Sequence, residues 1–305
     1  MRTWWDRLAS RRAVMVCLLV AGLTLWTVKD SSTADESRSS QRSKAIATRQ
    51  LAKRWPKIAA SQPRGLALVE LYTSEGCSSC PPADALLSEL ATLRHNDDLP
   101  IYALEFHVDY WNYLGWEDPF SRRAFTDRQR HENQRLETGR VYTPQMIING
   151  IAEIVGSRRQ LVDEAVGLAL EIPEEVTVRL RLSEPGPTDR IDVDYTVAGA
   201  SHGALLSLAL VESGLANEVD RGENAGRHLV HANVVRAMRT LRLDNHGKAR
   251  VRLPIPEDLD PRRARVIGFV QDGKTLRVLG ASDVTLDARV EDGRHPTEQG
   301  AQRAE

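Results

Sequence analysis

One stretch constrains this chain more than any other: Val69-Glu70-Leu71-Tyr72-Thr73-Ser74-Glu75-Gly76-Cys77-Ser78-Ser79-Cys80-Pro81-Pro82. The apolar run from Gly65 to Leu71 fits a buried strand, and Glu75-Gly76 fits a turn. Beyond the cysteines, Ala83, Leu86, Leu87, Leu90 and Ala91 recur at helical spacing, which predicts a helix from Cys77 or Ser78 to about Arg94. Pro81 and Pro82 are compatible with that helix only in its first turn, where backbone N–H groups have no helical partner. The third cysteine, Cys17, lies in an apolar N-terminal segment. Covalent chemistry by this chain's own side chains therefore falls to Cys77 and Cys80.

A Cys-x-x-Cys between a strand and a helix has a physical logic. Free N–H groups and the helix dipole stabilise a thiolate at the first cysteine, and the second lies close enough to close a disulfide. In that arrangement Cys77 is the nucleophile and Cys80 the resolving thiol. Ser78 and Ser79 carry no charge and Glu75 opposes a nearby thiolate, so a modest thiol is expected. Two other readings stay open: a purely structural disulfide, or part of a zinc site that recruits histidines because no second cysteine pair exists.

Charge divides the chain. Residues 1–60 hold 12 Lys/Arg against 4 Asp/Glu, a net of +8, and the remainder holds 29 against 38, a net of −9. An acidic body argues against nucleic acid as a partner. Arg2, Arg7, Arg11 and Arg12 precede an uncharged run from Ala13 to Val28. This has the form of an export signal or a single membrane anchor over 1–34, with Ser32-Thr33-Ala34 as a cleavage site. Either outcome puts the cysteines outside the cytoplasm, periplasmic or secreted or tethered to the inner membrane, where disulfides persist. Membrane contact is expected only through that anchor. Residues 35–63 read as a polar linker with an amphipathic helix carrying Leu51, Trp55 and Ile58.

Downstream, Ile101–Val108 reads as a second strand, and Asp109–Trp116 as an aromatic loop. Asp118-Pro119 is expected to cap a second helix. Val141-Tyr142-Thr143-Pro144 leads into the strand Gln145–Ile148. Asn149-Gly150 signals a hairpin, Ile151–Val155 returns, and Ser157 with Gln160 suggests a capping box for a third helix. After Glu171 the period becomes alternating. Strands are expected at Val176–Leu182, Ile191–Val197, Ala204–Val211, Val234–Leu243, Ala249–Leu253, Arg265–Gln271 and Thr275–Ala281, the last two joined by Asp272-Gly273. This suggests a β-rich, sandwich-like region over 173–288, with a disordered tail at 289–305. Arg221–Arg236 is a dense polar stretch. It is expected to be an ordered loop, or to pack on the first domain; His228-x-x-His231 would bind a metal only if helical.

The order strand, Cys-x-x-Cys, helix, strand, helix, Thr143-Pro144, strand, hairpin, strand, helix resembles the thioredoxin fold. More narrowly, Val69–Pro82, Phe106–Trp116, Val141–Gly150 and Arg221–Arg227 with His231, Val234, Val235 and Arg236 resemble a secreted bacterial family, domain of unknown function 1223. The resemblance implies an α/β thioredoxin-like domain at 64–172 followed by the β-rich domain. It implies a cis Pro144 facing the cysteines, and Thr143 pairing with an extended substrate. It implies no established activity. The expected function is thiol-disulfide exchange on extracytoplasmic protein thiols or disulfides through Cys77, Cys80, Thr143 and Pro144, with Glu75, His107 and Trp111 at the border and no cofactor. The alternatives are a copper or other metal-delivery module using Cys77, Cys80 and His107, and a non-catalytic module with a structural disulfide.

Overall fold

The computed structural model describes Trp55 and residues 63–97, 99–183, 189–243 and 247–286. The expected signal or anchor, most of the linker and its helix, and the C-terminal tail lie outside the described residues. Among the described residues no helix is long and apolar enough to cross a membrane.

The protein is a mixed α/β structure built on one eight-stranded sheet with few helices. In chain order the first region contains β1 (Ala67–Thr73), α1 (Pro81–Asp97), β2 (Ile101–His107), α2 (Arg123–Arg135), β3 (Gln145–Ile148), β4 (Ala152–Val155) and α3 (Arg159–Glu171). The second contains β5 (Thr177–Leu182), β6 (Arg190–Ala198), β7 (Leu205–Glu212), β8 (Leu215–Val219), β9 (Arg227–His231), β10 (Val234–Arg242), β11 (Lys248–Pro254), β12 (Ala264–Gln271) and β13 (Val278–Thr285). The large sheet runs β13-β12-β7-β10-β2-β1-β3-β4. Thus β10 joins β2 in parallel, Val234 opposite Glu105, and the sheet continues across both regions. The three-stranded sheet β11-β6-β5 packs over β7, β10, β12 and β13 around Val193, Tyr195, Leu208 and Val266. One of these two layers is an extension of the first region's sheet.

β1 and β2 are buried on both faces, as central parallel strands must be. Ala67, Val69 and Leu71, with Ile101 and Ala103, meet α1 and α3. Leu68, Tyr72, Leu104 and Phe106 face Phe125 of α2 and continue to Val211, Ile267 and Phe269. At Asn149-Gly150 both φ angles are positive, 50° and 67°, as a type I′ turn requires. The Asn149 side chain accepts from Leu68 N (2.7 Å) and donates to Leu66 O (2.9 Å). Trp55 is buried and donates to the Asp163 carbonyl (2.7 Å) beside Gly167.

Several expected boundaries move. α1 begins at Pro81, not Cys77, because the two prolines lack the N–H groups a first turn leaves unused; the Cys80 carbonyl accepts from Ala83 N and Asp84 N. Asp118 does not cap α2, which starts five residues later, since its carboxylate is held elsewhere. The Ser157–Gln160 capping box is not formed, and α3 begins at Arg159 with no side-chain cap. The turn between β12 and β13 is longer than two residues, because Asp272 Oδ1 gathers Lys274 N and Thr275 N. Arg221–Arg236 contains the unexpected β9 and the start of β10, and β9 pairs with β8 in a hairpin.

Candidate functional site

The site grows from strand periodicity. Glu105 and His107 continue the face of Ile101 and Ala103, so at the carboxyl ends of β1 and β2 the apolar layer under α1 turns polar. Thr73, paired with His107 in the β1–β2 register, donates its hydroxyl to Asp84 of α1 (2.6 Å). The cysteines sit just beyond, in a turn closed by Cys77 N to Ser74 O and Cys80 N to Cys77 O. They form a disulfide, with both residues almost inaccessible at 1% and 0%.

The β8–β9 hairpin clasps this turn. Asn224, fully buried, donates Nδ2 to the carbonyls of Glu75 (2.8 Å) and Cys77 (3.0 Å). Exposed Glu223 accepts from Ser78 N (3.0 Å) and Ser78 Oγ (2.7 Å). On another side, Trp111 packs against Gly76 and donates Nε1 to Thr143 Oγ1 (2.7 Å). The Thr143–Pro144 bond is cis, and the β1–β3 register, Tyr72 opposite Gln145, brings Pro144 to the level of Thr73. Trp111 therefore ties the cysteine turn to Thr143-Pro144.

Beneath the turn lies a buried polar network. Glu75 accepts from Trp116 Nε1 (2.8 Å) and Asn217 Nδ2 (2.8 Å), and its Oε1 is 3.2 Å from His231 Nε2. His231 Nδ1 lies 2.7 Å from Glu105 Oε1. His107 Nδ1 lies 2.7 Å from Asp118 Oδ2, which also accepts from Glu75 N. Burial by itself would raise Glu105, but the two imidazoles outweigh it and hold the carboxyl at about 2. Burial would lower the histidines, yet the carboxylates hold His107 at about 9 and His231 at about 11. Asp118 is lowered, since His107 and backbone donors overcome its burial. Asp84 goes the other way, to about 7, through burial and then the charge of Glu105.

The structure thus brings together Cys77, Cys80, Trp111, Thr143 and Pro144 around one turn, with Glu75 and His107 in the network below. His107 groups with Glu105 and His231, whose ligand atoms lie within 4.8 Å of one another. The cysteine sulfurs are bonded to each other and fall outside that group. The His228-x-x-His231 pair is split, because β9 is a strand: His228 is exposed against Glu218 and His231 is buried. Sequence reading missed Asp84, Glu105 and Asp118. A signal existed for Glu105, since a carboxylate inside the otherwise apolar run Ile101–Phe106 must find a partner.

The model for proteins of unknown function designated DUF1223 matches residues 68–271. The chain belongs to this family. Among solved structures, protein AGR_C_4864 from Agrobacterium tumefaciens is similar over 80% of this chain and 100% of its own, at 24% identity and TM-score 0.56. HBP35 of Porphyromonas gingivalis is similar over 80% of this chain and 81% of its own, at 14% identity and TM-score 0.54. At these identities both likenesses concern the fold alone. No curated protein matches the chain. In this DUF1223 protein the matched residues include the cysteine turn, Thr143-Pro144, the β8–β9 hairpin and every residue of the buried network.

Proposed function

We propose that this DUF1223 protein is an exported, thioredoxin-like protein that exchanges thiols and disulfides through Cys77 and Cys80. The observation that carries the reading is a Cys77–Cys80 disulfide at the carboxyl end of β1, linked through Trp111 to Thr143-Pro144. The order β2-β1-β3-β4 with α1 and α3 against one face and α2 against the other supports the thioredoxin-like assignment. The charge pattern of residues 1–34 supports export.

In the step proposed, a partner thiolate attacks Cys77 Sγ, the Cys77–Cys80 bond breaks, and Cys80 leaves as a thiolate that takes up a proton. A second partner thiol, losing its proton, displaces Cys77. The partner leaves as a disulfide and the protein as a dithiol; run backwards, the same steps reduce a partner disulfide. Because the disulfide is buried, attack requires the turn to open, against the hairpin's bonds to Glu75, Cys77 and Ser78. That burial also favours a second reading, a structural disulfide in a non-catalytic module. Insulin reduction and dithiol oxidation, with Cys77→Ser as control, separate the two. A wild type no faster than Cys77→Ser in either direction sinks the exchange reading. Cys80→Ser should trap mixed disulfides with extracytoplasmic proteins on Cys77.

A further inference from the structure

The buried network holds a second chemistry that does not involve sulfur. His107, His231 and Glu105 are fully buried and converge with ligand atoms within 4.8 Å. Each imidazole has one nitrogen committed to a carboxylate outside the trio: His107 Nδ1 to Asp118 Oδ2 at 2.7 Å, and His231 Nε2 to Glu75 Oε1 at 3.2 Å. The opposite nitrogens point toward Glu105. His107 Nε2 has no hydrogen-bond partner and stands 3.5 Å from Glu105 Oε1, too long for a good hydrogen bond. His231 Nδ1 is 2.7 Å from the same oxygen. Metal-binding histidines are characteristically held this way, the second nitrogen donating to a carboxylate that fixes tautomer and ring direction. Charge points the same way. Glu75, Asp84, Glu105 and Asp118 are buried together, and among the described residues no Lys or Arg pairs with any of them.

We propose that His107 Nε2, His231 Nδ1 and Glu105 Oε1 form a binding site for a divalent first-row transition ion of the zinc type. Asp118 and Glu75 are its outer carboxylates. The ion displaces one proton from His107 Nε2 and one from His231 Nδ1, both released to solvent, and supplies the missing partner of His107. Two imidazoles and one carboxylate are a donor set suited to such ions, with a fourth position left for water. The site is independent of the thiol-exchange reading, since it needs neither sulfur.

The test uses the full chain, chelator-stripped and kept oxidised so that no thiol can ligate. Titration with Co2+, read by visible absorption, and with Zn2+, read by calorimetry and by elemental analysis after gel filtration, should show one ion per chain. Cys77→Ser/Cys80→Ser should bind unchanged. His107→Gln should lose at least 100-fold in affinity, and Asp118→Asn about 10- to 100-fold, as expected for an outer carboxylate. Circular dichroism confirms that each variant is folded. If His107→Gln fails to fold, the wild-type stoichiometry and Asp118→Asn decide. Absence of stoichiometric binding to the oxidised wild type overturns the proposal, as does binding indifferent to both substitutions.

Discussion

Asn224→Ala offers the sharpest probe of how the cysteine turn is held. Asn224 is fully buried, and its Nδ2 satisfies two backbone carbonyls, those of Glu75 and Cys77. Its Oδ1 accepts from exposed Arg227, which can turn to water when the amide is gone. The substitution therefore orphans the Glu75 carbonyl, at about 1–3 kcal/mol, while the Cys77 carbonyl keeps its bond from Cys80 N. The closed turn loses about 1–3 kcal/mol. If reduction proceeds through an opening that breaks these bonds, the open population rises tenfold per about 1.4 kcal/mol. The expected acceleration is then roughly 5- to 150-fold. The assay is the rate of disulfide reduction by dithiothreitol under native conditions, followed by thiol trapping, with a urea denaturation curve in parallel. Glu223→Ala should accelerate reduction less, because its bonds to Ser78 are exposed to competing water. A rate within threefold of wild type in Asn224→Ala, with the urea midpoint lowered as expected, would refute the argument that the hairpin gates the disulfide.

Three further outcomes are expected. Glu70 is fully buried against Arg128 with one carboxylate oxygen unpartnered; burial and then the charge of Glu132 raise it to about 8 although Arg128 opposes them. Unfolded Glu70 ionises near 4.5 while the folded group holds its proton, so stability should fall as pH rises from about 4.5 to about 8. Thermal melts of Glu70→Gln should show a flatter profile, and parallel profiles would count against this. Arg236, nearly buried, pairs with fully buried Glu212 and with Asp258. Arg236→Ala should cost about 3–5 kcal/mol in urea denaturation, and Glu212→Gln in the same chain should recover part of it. At Gly150, φ is +67° and an added Cβ would stand 2.2 Å from the Leu276 carbonyl oxygen. Gly150→Ala should therefore destabilise by at least about 1–3 kcal/mol, measurable as a lowered midpoint.

Much of the fold was legible in local patterns. The apolar run of Ile101–Phe106 and the helical spacing after Pro82 identify β2 and α1, because such surfaces must be buried to be stable. Asn149-Gly150 announced its turn for a local steric reason, since both positions need positive φ. The Cys-x-x-Cys and Thr143-Pro144 were visible as motifs, and the structure brings them together through Trp111.

What the sequence determined by itself was the set of elements and the residues at the turn, because propensity, proline geometry and periodicity act over a few neighbouring residues. Only the tertiary structure decided the rest. The parallel pairing of Val234 with Glu105 merges two regions into one sheet across more than a hundred residues. That pairing leads the hairpin of Glu223, Asn224 and His231 back onto the cysteine turn. Tertiary packing also makes Asp118, expected as a helix cap, a partner of buried His107. Burial then makes Glu75, Glu105 and Asn224 depend on partners more than a hundred residues away, and no local pattern encodes those partners.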